Sequence, residues 1–305
     1  MMLLQKFLLV LFKTYKFIVH LLTGRCELER ICGDHQVSLR SIDMVDQSLA
    51  TSSKLVTQRQ LLLTATLSSD ADTARVTQLA DDITRFKKFR VPGVAIVFRR
   101  VYSCLFHANA AVNRLEVLRV VTFEDQEHGG ANRARLLGLW KGLNPDQSEV
   151  PPLVSPLWKD IGFQGDNPAT DFRGMGMLGL ENLAHFATHH GEVARSVLLT
   201  SQDPTQWFPF AITGIQITKW LLDKAKAHRL HHYFCRGEVA GAQSTATVEC
   251  FGEVYSATYA SFHRFWISEG GRITEFPYVF ERFQRSWGPV LEDMSKTADS
   301  LFSPP

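Results

Sequence analysis

The sequence predicts an all-α fold built from several helices. In most of the chain, apolar residues recur every three or four positions, which is the periodicity of one face of an α-helix. No pair of segments alternates apolar and polar residues in the way that predicts neighbouring β-strands. The 305 residues are 45% hydrophobic and 21% charged, which is ordinary for a globular protein that buries a core.

The N-terminal stretch, residues 1–22, is the most hydrophobic part of the chain and predicts an amphipathic helix. Two lysines near its middle argue against a membrane span, and its short apolar run argues against a cleaved signal. Two interpretations stay open: the helix lies on a membrane surface, or it packs against the domain that follows. Four basic residues fall on one side of the helix: Lys6, Lys13, Lys16 and His20.

Apolar periodicity and chain breakers place the other helices. Pro92-Gly93 ends one of them, and four prolines mark a loop at 144–156. The stretch 94–121 predicts one long buried helix or two shorter ones, and 236–249 predicts a flexible loop. The segments with helical periodicity are 58–67, 70–90, 94–121, 136–143, 172–190, 192–200, 208–232, 251–266 and 276–298.

A charged, glycine-containing stretch at 124–135 predicts a linker between two parts of the chain. We therefore expect an N-terminal helical region at residues 1–125 and a second helical domain at residues 126–298. A run of basic residues without an intervening acidic one lies in the first part and predicts either a solvated face or a contact with anionic lipid. Its members are Arg85, Lys87, Lys88, Arg90, Arg99 and Arg100.

Several function classes are disfavoured. The net charge of +2 argues against a strongly basic nucleic-acid binder, so no nucleic-acid partner is expected. The five cysteines lack C-x-x-C spacing and indicate reduced cytosolic thiols. His185 and His189 are four apart on one helix, but no third ligand is implied, and we expect no metal site. Neither a phosphate-binding P-loop nor a G-x-S-x-G nucleophile motif is present.

The stretch from Trp158 to Phe186 organises the rest of the chain. A turn at Asp166-Asn167-Pro168 leads into an apolar helix predicted at 172–190, with Thr170 and Asp171 as N-cap candidates. Arg173 would then lie in the first helical turn, where the helix dipole favours acidic residues. Such a local conflict is typical of functional sites, although a pairing of Arg173 with Asp171 or Asp166 would also account for it.

Gly174, Gly176 and Gly179 spell G-x-G-x-x-G within this stretch. A dinucleotide-binding fold needs a strand before that motif, whereas here a turn precedes it. We interpret the three glycines as points of close helix packing.

The stretch resembles the signature of the ELMO domain, most closely that of the ELMO-domain-containing (ELMOD) proteins. The run Thr23–Ile31 also resembles the N-terminal region of those proteins, and the main resemblance spans Leu136 to Trp287. The residues that carry it are Trp158, Ile161 to Gln164, Pro168, Thr170 to Gly174, and Leu178 to Leu183.

The resemblance implies an ELMO-type helical domain that acts as a GTPase-activating protein (GAP) for Arf-family or Arf-like GTPases. Arg173 falls on the arginine that this family is thought to use as a catalytic finger. The chain would then have no cofactor of its own and would not be an enzyme alone, because the partner GTPase carries GTP and magnesium. The residues expected to support the finger or touch the GTPase are Trp158, Gly162, Phe163, Gln164, Pro168, Thr170, Asp171, Phe172 and Gly174.

Two alternatives stay open. The larger ELMO proteins resemble this chain but act as scaffolds for Dock-type exchange factors, and an effector could bind a GTPase without speeding hydrolysis. Arg173 and a length of 305 residues favour the GAP interpretation. We expect a cytoplasmic location, with peripheral contact to intracellular membranes through residues 1–22 as one interpretation of the first helix.

Overall fold

The computed structural model confirms the predicted all-α fold. Within the described residues every regular element is an α-helix or a 3-10 helix, and no β-strand occurs there. The chain forms two compact units, residues 1–110 with 235–245 and residues 111–234 with 246–305. The described residues are 2–34, 36–66, 70–123, 129–242 and 247–303.

The predicted boundary between residues 125 and 126 lies within 124–128, outside the described residues. The division into regions 1–125 and 126–298 therefore stays a prediction.

The first unit contains the N-terminal helices. Glu29 is fully buried, and its carboxylate accepts the N–H groups of Arg90 and Val91 at 2.7 and 3.1 Å, which ties the second helix to the turn before the sixth. The long stretch predicted at 94–121 is a single helix, which continues into the second unit. The helices are α1 (Met2–Thr23), α2 (Glu27–Ile31), α3 (Leu39–Thr51), α4 (Val56–Leu63), α5 (Asp70–Phe86) and α6 (Pro92–Val120).

Helix α1 confirms the helix predicted at the N-terminus. None of the helices in the described part of the chain is long and apolar enough to span a membrane. Several large apolar side chains of α1 are exposed to solvent: Leu11, Tyr15, Phe17, Ile18, Leu21 and Leu22.

The second unit contains the remaining helices. Three 3-10 helices interrupt the α-helices, at Pro156–Ile161, Pro168–Arg173 and Ile273–Glu275. The α-helices are α7 (Gly129–Leu143), α8 (Gly176–His189), α9 (Gly191–Ser201), α10 (Phe210–Lys226), α11 (His231–Val239), α12 (Val248–Ser268), α13 (Phe276–Leu291) and α14 (Ala298–Phe302). Helix α11 begins in this unit and ends in the first.

Helix α8 is the centre of the second unit and packs against α7, α10 and α12. The buried ring of Phe186 stacks on Tyr259 at 5.3 Å, and the Tyr259 hydroxyl donates to the carbonyl of Phe210 at 2.6 Å. The buried amide of Asn182 donates to the Thr218 hydroxyl at 3.0 Å. These contacts fix α8 on α10 and α12, so the chain that leads into α8 starts from a firm base.

The helix predicted at 172–190 begins later than expected. Gly176 has a φ of +51°, and a Cβ there would lie 2.2 Å from the carbonyl oxygen of Arg119. The chain must turn at this glycine before it can enter α8, so the preceding residues form a separate 3-10 helix.

Other predicted bounds are also wrong. The linker expected at 124–135 is wrong for residues 129–135, which belong to α7. The helix expected at 208–232 ends at Lys226, because His228 has a φ of +63°. The helix expected to reach residue 298 ends at Leu291. The loop expected at 236–249 is shorter, since α11 continues to Val239 and α12 begins at Val248; residues 243–246 lie outside the described residues.

Candidate functional site

A row of buried aromatic rings supports the chain between α7 and α8. Each ring is at most 6% exposed, and neighbouring rings meet edge to face or stacked. The ring centroids are 5.4 Å apart for Trp140 and Trp158, 6.1 Å for Trp158 and Phe163, 5.6 Å for Phe163 and Phe172, and 6.2 Å for Phe172 and Phe123. The two 3-10 helices of this segment, which we call the 155–175 loop, are therefore attached to the core by their own side chains.

Gly162 fixes the end of the first 3-10 helix against α10. Its φ is +82°, and a Cβ would lie 2.2 Å from the backbone nitrogen of Phe210. The N–H of Ile212 donates to the carbonyl of Gly162 at 3.3 Å. Only glycine can adopt this conformation at so close an approach.

Side chains of the loop satisfy its own backbone. The Asn167 side-chain oxygen accepts the N–H of Ala169 at 3.1 Å, and the Thr170 hydroxyl donates to the Asn167 carbonyl at 2.9 Å. The Asp171 carboxylate accepts the N–H of Gln164 at 2.8 Å, which ties the segment between the two 3-10 helices to the second of them. These bonds hold the loop in one shape.

The N-cap roles predicted for Thr170 and Asp171 are wrong. Helix α8 begins at Gly176, and Met175 precedes it without a side-chain cap. Helix α8 starts after both residues, and their side chains form hydrogen bonds within the loop instead.

Arg173 is the last residue of the second 3-10 helix, and its side chain is exposed. It therefore lies before the first turn of α8, and the predicted conflict with the helix dipole does not exist. Arg173 is nevertheless exposed, at the end of a loop that buried rings hold in place.

The predicted pairing of Arg173 with a nearby carboxylate does not occur. Asp166 pairs with Lys159 at 2.7 Å, and Asp171 is bonded to the N–H of Gln164. Burial raises the pKa of Asp171, while that N–H and the charge of Arg173 act in the opposite direction. Arg173 influences Asp171 only through space, and it makes no hydrogen bond or ion pair with any described residue.

The glycine pattern is explained by packing at two of its three positions. Gly176 lies against the carbonyls of Arg119 and Val121, and Gly179 approaches Ile215 and Phe172. A Cβ on Gly174 would meet nothing within 4 Å, so the packing predicted there is wrong.

The structure brings the predicted site residues together in the 155–175 loop. Exposure separates them into two groups. The buried or half-buried ones are Trp158, Gly162, Phe163, Pro168, Asp171 and Phe172. The exposed ones are Gln164, Thr170, Arg173 and Gly174.

Two supporting residues were missed from sequence. Ser155 caps the first 3-10 helix by accepting the N–H of Leu157 at 3.3 Å, and its own N–H donates to the carbonyl of Asp166 at 2.8 Å. A serine directly before a proline is a recognisable start signal, so Ser155 could have been found. Phe123 belongs to no local pattern, because it reaches the loop only through the tertiary fold.

Comparison with known proteins assigns the family. The model of the ELMO/CED-12 family matches residues 113–280. The chain belongs to the ELMO/CED-12 family. It is 34% identical over 284 residues to ELMO domain-containing protein B of Dictyostelium discoideum, covering 90% of this chain and 93% of that protein.

Two human proteins of the ELMO family are similar over comparable lengths. ELMO domain-containing protein 1 is 30% identical over 304 residues, covering 90% of this chain and 86% of that protein. ELMO domain-containing protein 2 is 31% identical over 282 residues, covering 91% of each. The family match contains the whole 155–175 loop and helices α8 to α12, so the braced loop lies within the ELMO part of the chain.

Proposed function

We propose that this protein is a GTPase-activating protein for small GTPases of the Arf and Arf-like families, with Arg173 as its arginine finger. The observation that carries the proposal is an exposed guanidinium, without an ion pair among the described residues, on a loop braced by buried rings. Membership of the ELMO family and the resemblance to the ELMOD proteins support this class of partner.

The chemistry is completed by two proteins. The GTPase carries GTP, magnesium and the group that orients the attacking water. Arg173 enters that site and neutralises charge that develops on the β- and γ-phosphate oxygens in the transition state. Arginine fingers accelerate hydrolysis by about 10³ to 10⁵. The chain alone is therefore a regulator that stimulates its partner's reaction.

The brace under the loop suits this role. Catalysis by a finger depends on placing one planar group accurately, and each degree of freedom removed beforehand lowers the entropy cost at the transition state. The bond between Asp171 and Gln164 fixes the backbone two residues before Arg173. The exposed side chains of Gln164 and Thr170 would contact the surface of the GTPase.

Helix α1 provides peripheral contact with an anionic membrane in this proposal. Its exposed apolar side chains include Leu21 and Leu22, at 66% and 81% exposure. A cavity of about 400 Å³ in the same unit is lined by Lys16, Lys54 and Lys87. Burial lowers the pKa of Lys87; the charges of Lys54 and Lys16 act in the same direction, whereas those of Cys26 and Glu27 oppose it. Anionic lipid headgroups would pair with these lysines while the apolar side chains enter the membrane.

The experiment that tests the GAP proposal is single-turnover hydrolysis of GTP preloaded on a panel of Arf and Arf-like GTPases. Wild type should stimulate at least one of them. Arg173→Lys should lose most of the stimulation, because an ammonium lacks the planar fork of a guanidinium. The matched control is Arg285→Lys, at an exposed arginine on α13 that should leave stimulation unchanged.

Three results would overturn the proposal or part of it. Binding of a GTP-loaded GTPase without stimulation would identify an effector. Full stimulation by Arg173→Lys and Arg173→Ala would keep the GAP activity but remove Arg173 as the finger. A protein that neither binds nor stimulates any member of the panel leaves Dock-type scaffolding as the next function to test.

A further inference from the structure

A cluster of two histidines and one carboxylate lies in the second unit, apart from the 155–175 loop in sequence. His185 is on α8, His190 lies between α8 and α9, and Glu253 is on α12. Each histidine Nε2 is 2.9 Å from a different oxygen of the Glu253 carboxylate. One ligand atom from each of the three residues lies within 4.8 Å of the other two.

The backbone and neighbouring rings hold these side chains in place. A Cβ at Gly252 would lie 2.7 Å from Cγ of His185, so a glycine beside Glu253 allows α12 to come this close to α8. The ring of His185 stacks on His189 with centroids 4.1 Å apart, and the ring of His190 stacks on Phe302 at 4.6 Å. The three ligand groups are thus oriented before any ion binds, which favours binding.

The geometry is close to that of a zinc site. Zinc takes imidazole nitrogens and carboxylate oxygens at about 2.1 Å, so two ligands of a tetrahedral ion lie about 3.4 Å apart. The observed separations of 2.9 Å and up to 4.8 Å bracket this value. Small rotations of the side chains would therefore bring all three atoms to bonding distance.

Zinc binding exchanges one set of contacts for another. Without the ion, Nε2 of each histidine faces a carboxylate oxygen of Glu253 at hydrogen-bond distance. To coordinate zinc, each ring must carry its proton on Nδ1, so that Nε2 offers its lone pair to the ion.

We propose that His185, His190 and Glu253 form a binding site for Zn²⁺. Three protein ligands leave one position of a tetrahedral ion for water or another small ligand. His185 also lines an adjoining cavity of about 620 Å³. The bound ion links α8, the α8–α9 turn and α12, and it stabilises the second unit at its central helix.

Zinc titration of the full-length chain after treatment with a chelator tests the proposal, with calorimetry for stoichiometry and thermal unfolding as a second readout. Glu253→Gln and His190→Gln should each bind one zinc ion fewer per chain than wild type. Loss of a group that merely orients a ligand weakens metal binding by about 10- to 100-fold, so loss of a ligand should cost at least as much. Zinc should raise the melting temperature of wild type and leave that of both variants unchanged.

His20→Ala is the control, because His20 is an exposed histidine on α1 that neither belongs to the cluster nor contacts its side chains. It should bind as many zinc ions as wild type. Two variants are used because one of them could fail to fold. Circular dichroism of each variant without zinc shows whether it is folded. Equal zinc stoichiometry in wild type, Glu253→Gln and His190→Gln overturns the site, as does the absence of zinc binding to wild type.

Discussion

The 155–175 loop and helix α1 both present side chains to solvent, but they are held in different ways. In the loop, the exposed Arg173 follows rings that are almost completely buried and a carboxylate bonded to the backbone. In α1, exposed apolar side chains line the helix itself, and Lys16 forms an ion pair with Glu27. The loop presents polar side chains on a firmly held backbone, whereas α1 presents an apolar surface.

This difference matches the tasks that we propose for them. A guanidinium must reach one position next to a phosphate, so its support has to be stiff. Insertion of apolar side chains into a membrane depends mainly on the area buried, and it tolerates variation in the orientation of each side chain. Substitutions in the loop support should therefore change stability strongly, whereas substitutions on α1 should change membrane binding alone.

The largest loss of stability is expected for Trp158→Ala. Trp158 is fully buried between Trp140 and Phe163, and removal of a buried tryptophan costs about 3 to 5 kcal/mol. Urea unfolding measures the loss. Trp207→Ala, at a tryptophan that is 46% exposed, should lose much less. Equal losses in the two variants would show that the aromatic row does not support the loop.

Gly162→Ala should be the next most destabilising change. The left-handed conformation costs a residue with a Cβ about 1 to 2 kcal/mol, and the clash with the backbone of Phe210 adds to this. Gly174→Ala is the matched control, because a Cβ there meets nothing within 4 Å. Chemical denaturation of both should show a loss for the first alone; a tolerated alanine at 162 would contradict the described backbone.

A smaller effect is expected for Asp171→Ala, which removes the acceptor for the Gln164 N–H. Such a hydrogen bond contributes about 0.5 to 1.5 kcal/mol to the free energy of unfolding. Asp171→Asn keeps an acceptor and should lose less. Urea unfolding measures the free energy of unfolding of both variants, and we expect the same order for their GAP activity. A larger loss of stability in the asparagine variant would contradict the role of Asp171 as acceptor for the Gln164 N–H.

The smallest change in stability is expected for Leu22→Ser on α1, within about 0.5 kcal/mol of wild type. Its binding to vesicles that contain phosphatidylserine should fall about tenfold or more, because full burial of a leucine contributes about 1.5 to 3 kcal/mol. Leu199→Ser on α9, at 73% exposure, is the control and should bind like wild type. Sedimentation with vesicles measures both, and equal binding of the two variants would remove α1 as the membrane contact.

The sequence predicted the long elements of the fold but not their ends. Apolar periodicity identified α6 and α12, because long amphipathic segments leave a repeated signal. The start of α8 was missed because it depends on how closely Gly176 approaches residues 119 and 121, which are remote in sequence. Cap preferences predicted N-cap roles for Thr170 and Asp171, but both side chains form hydrogen bonds within the loop.

The candidate sites were also predictable only in part from the sequence. Arg173 was found from a motif, although the helix-dipole argument for it was wrong, because the residue ends a 3-10 helix. The histidines at 185 and 190 were visible in sequence, but their carboxylate partner at 253 lies on another helix. Local sequence patterns predict contacts between residues that are near in the chain. Contacts between distant residues, such as His185 and Glu253, depend on the tertiary fold.

Gly162 and Gly176 together limit how the intervening chain can vary in length. Each is pressed against the backbone of another helix, and thirteen residues, 163–175, run between these two fixed points. An inserted or deleted residue in this span cannot be absorbed at either end, so it must displace the segment that carries Arg173. Changes of residue type within the span are therefore easier to accommodate than any change in its number of residues.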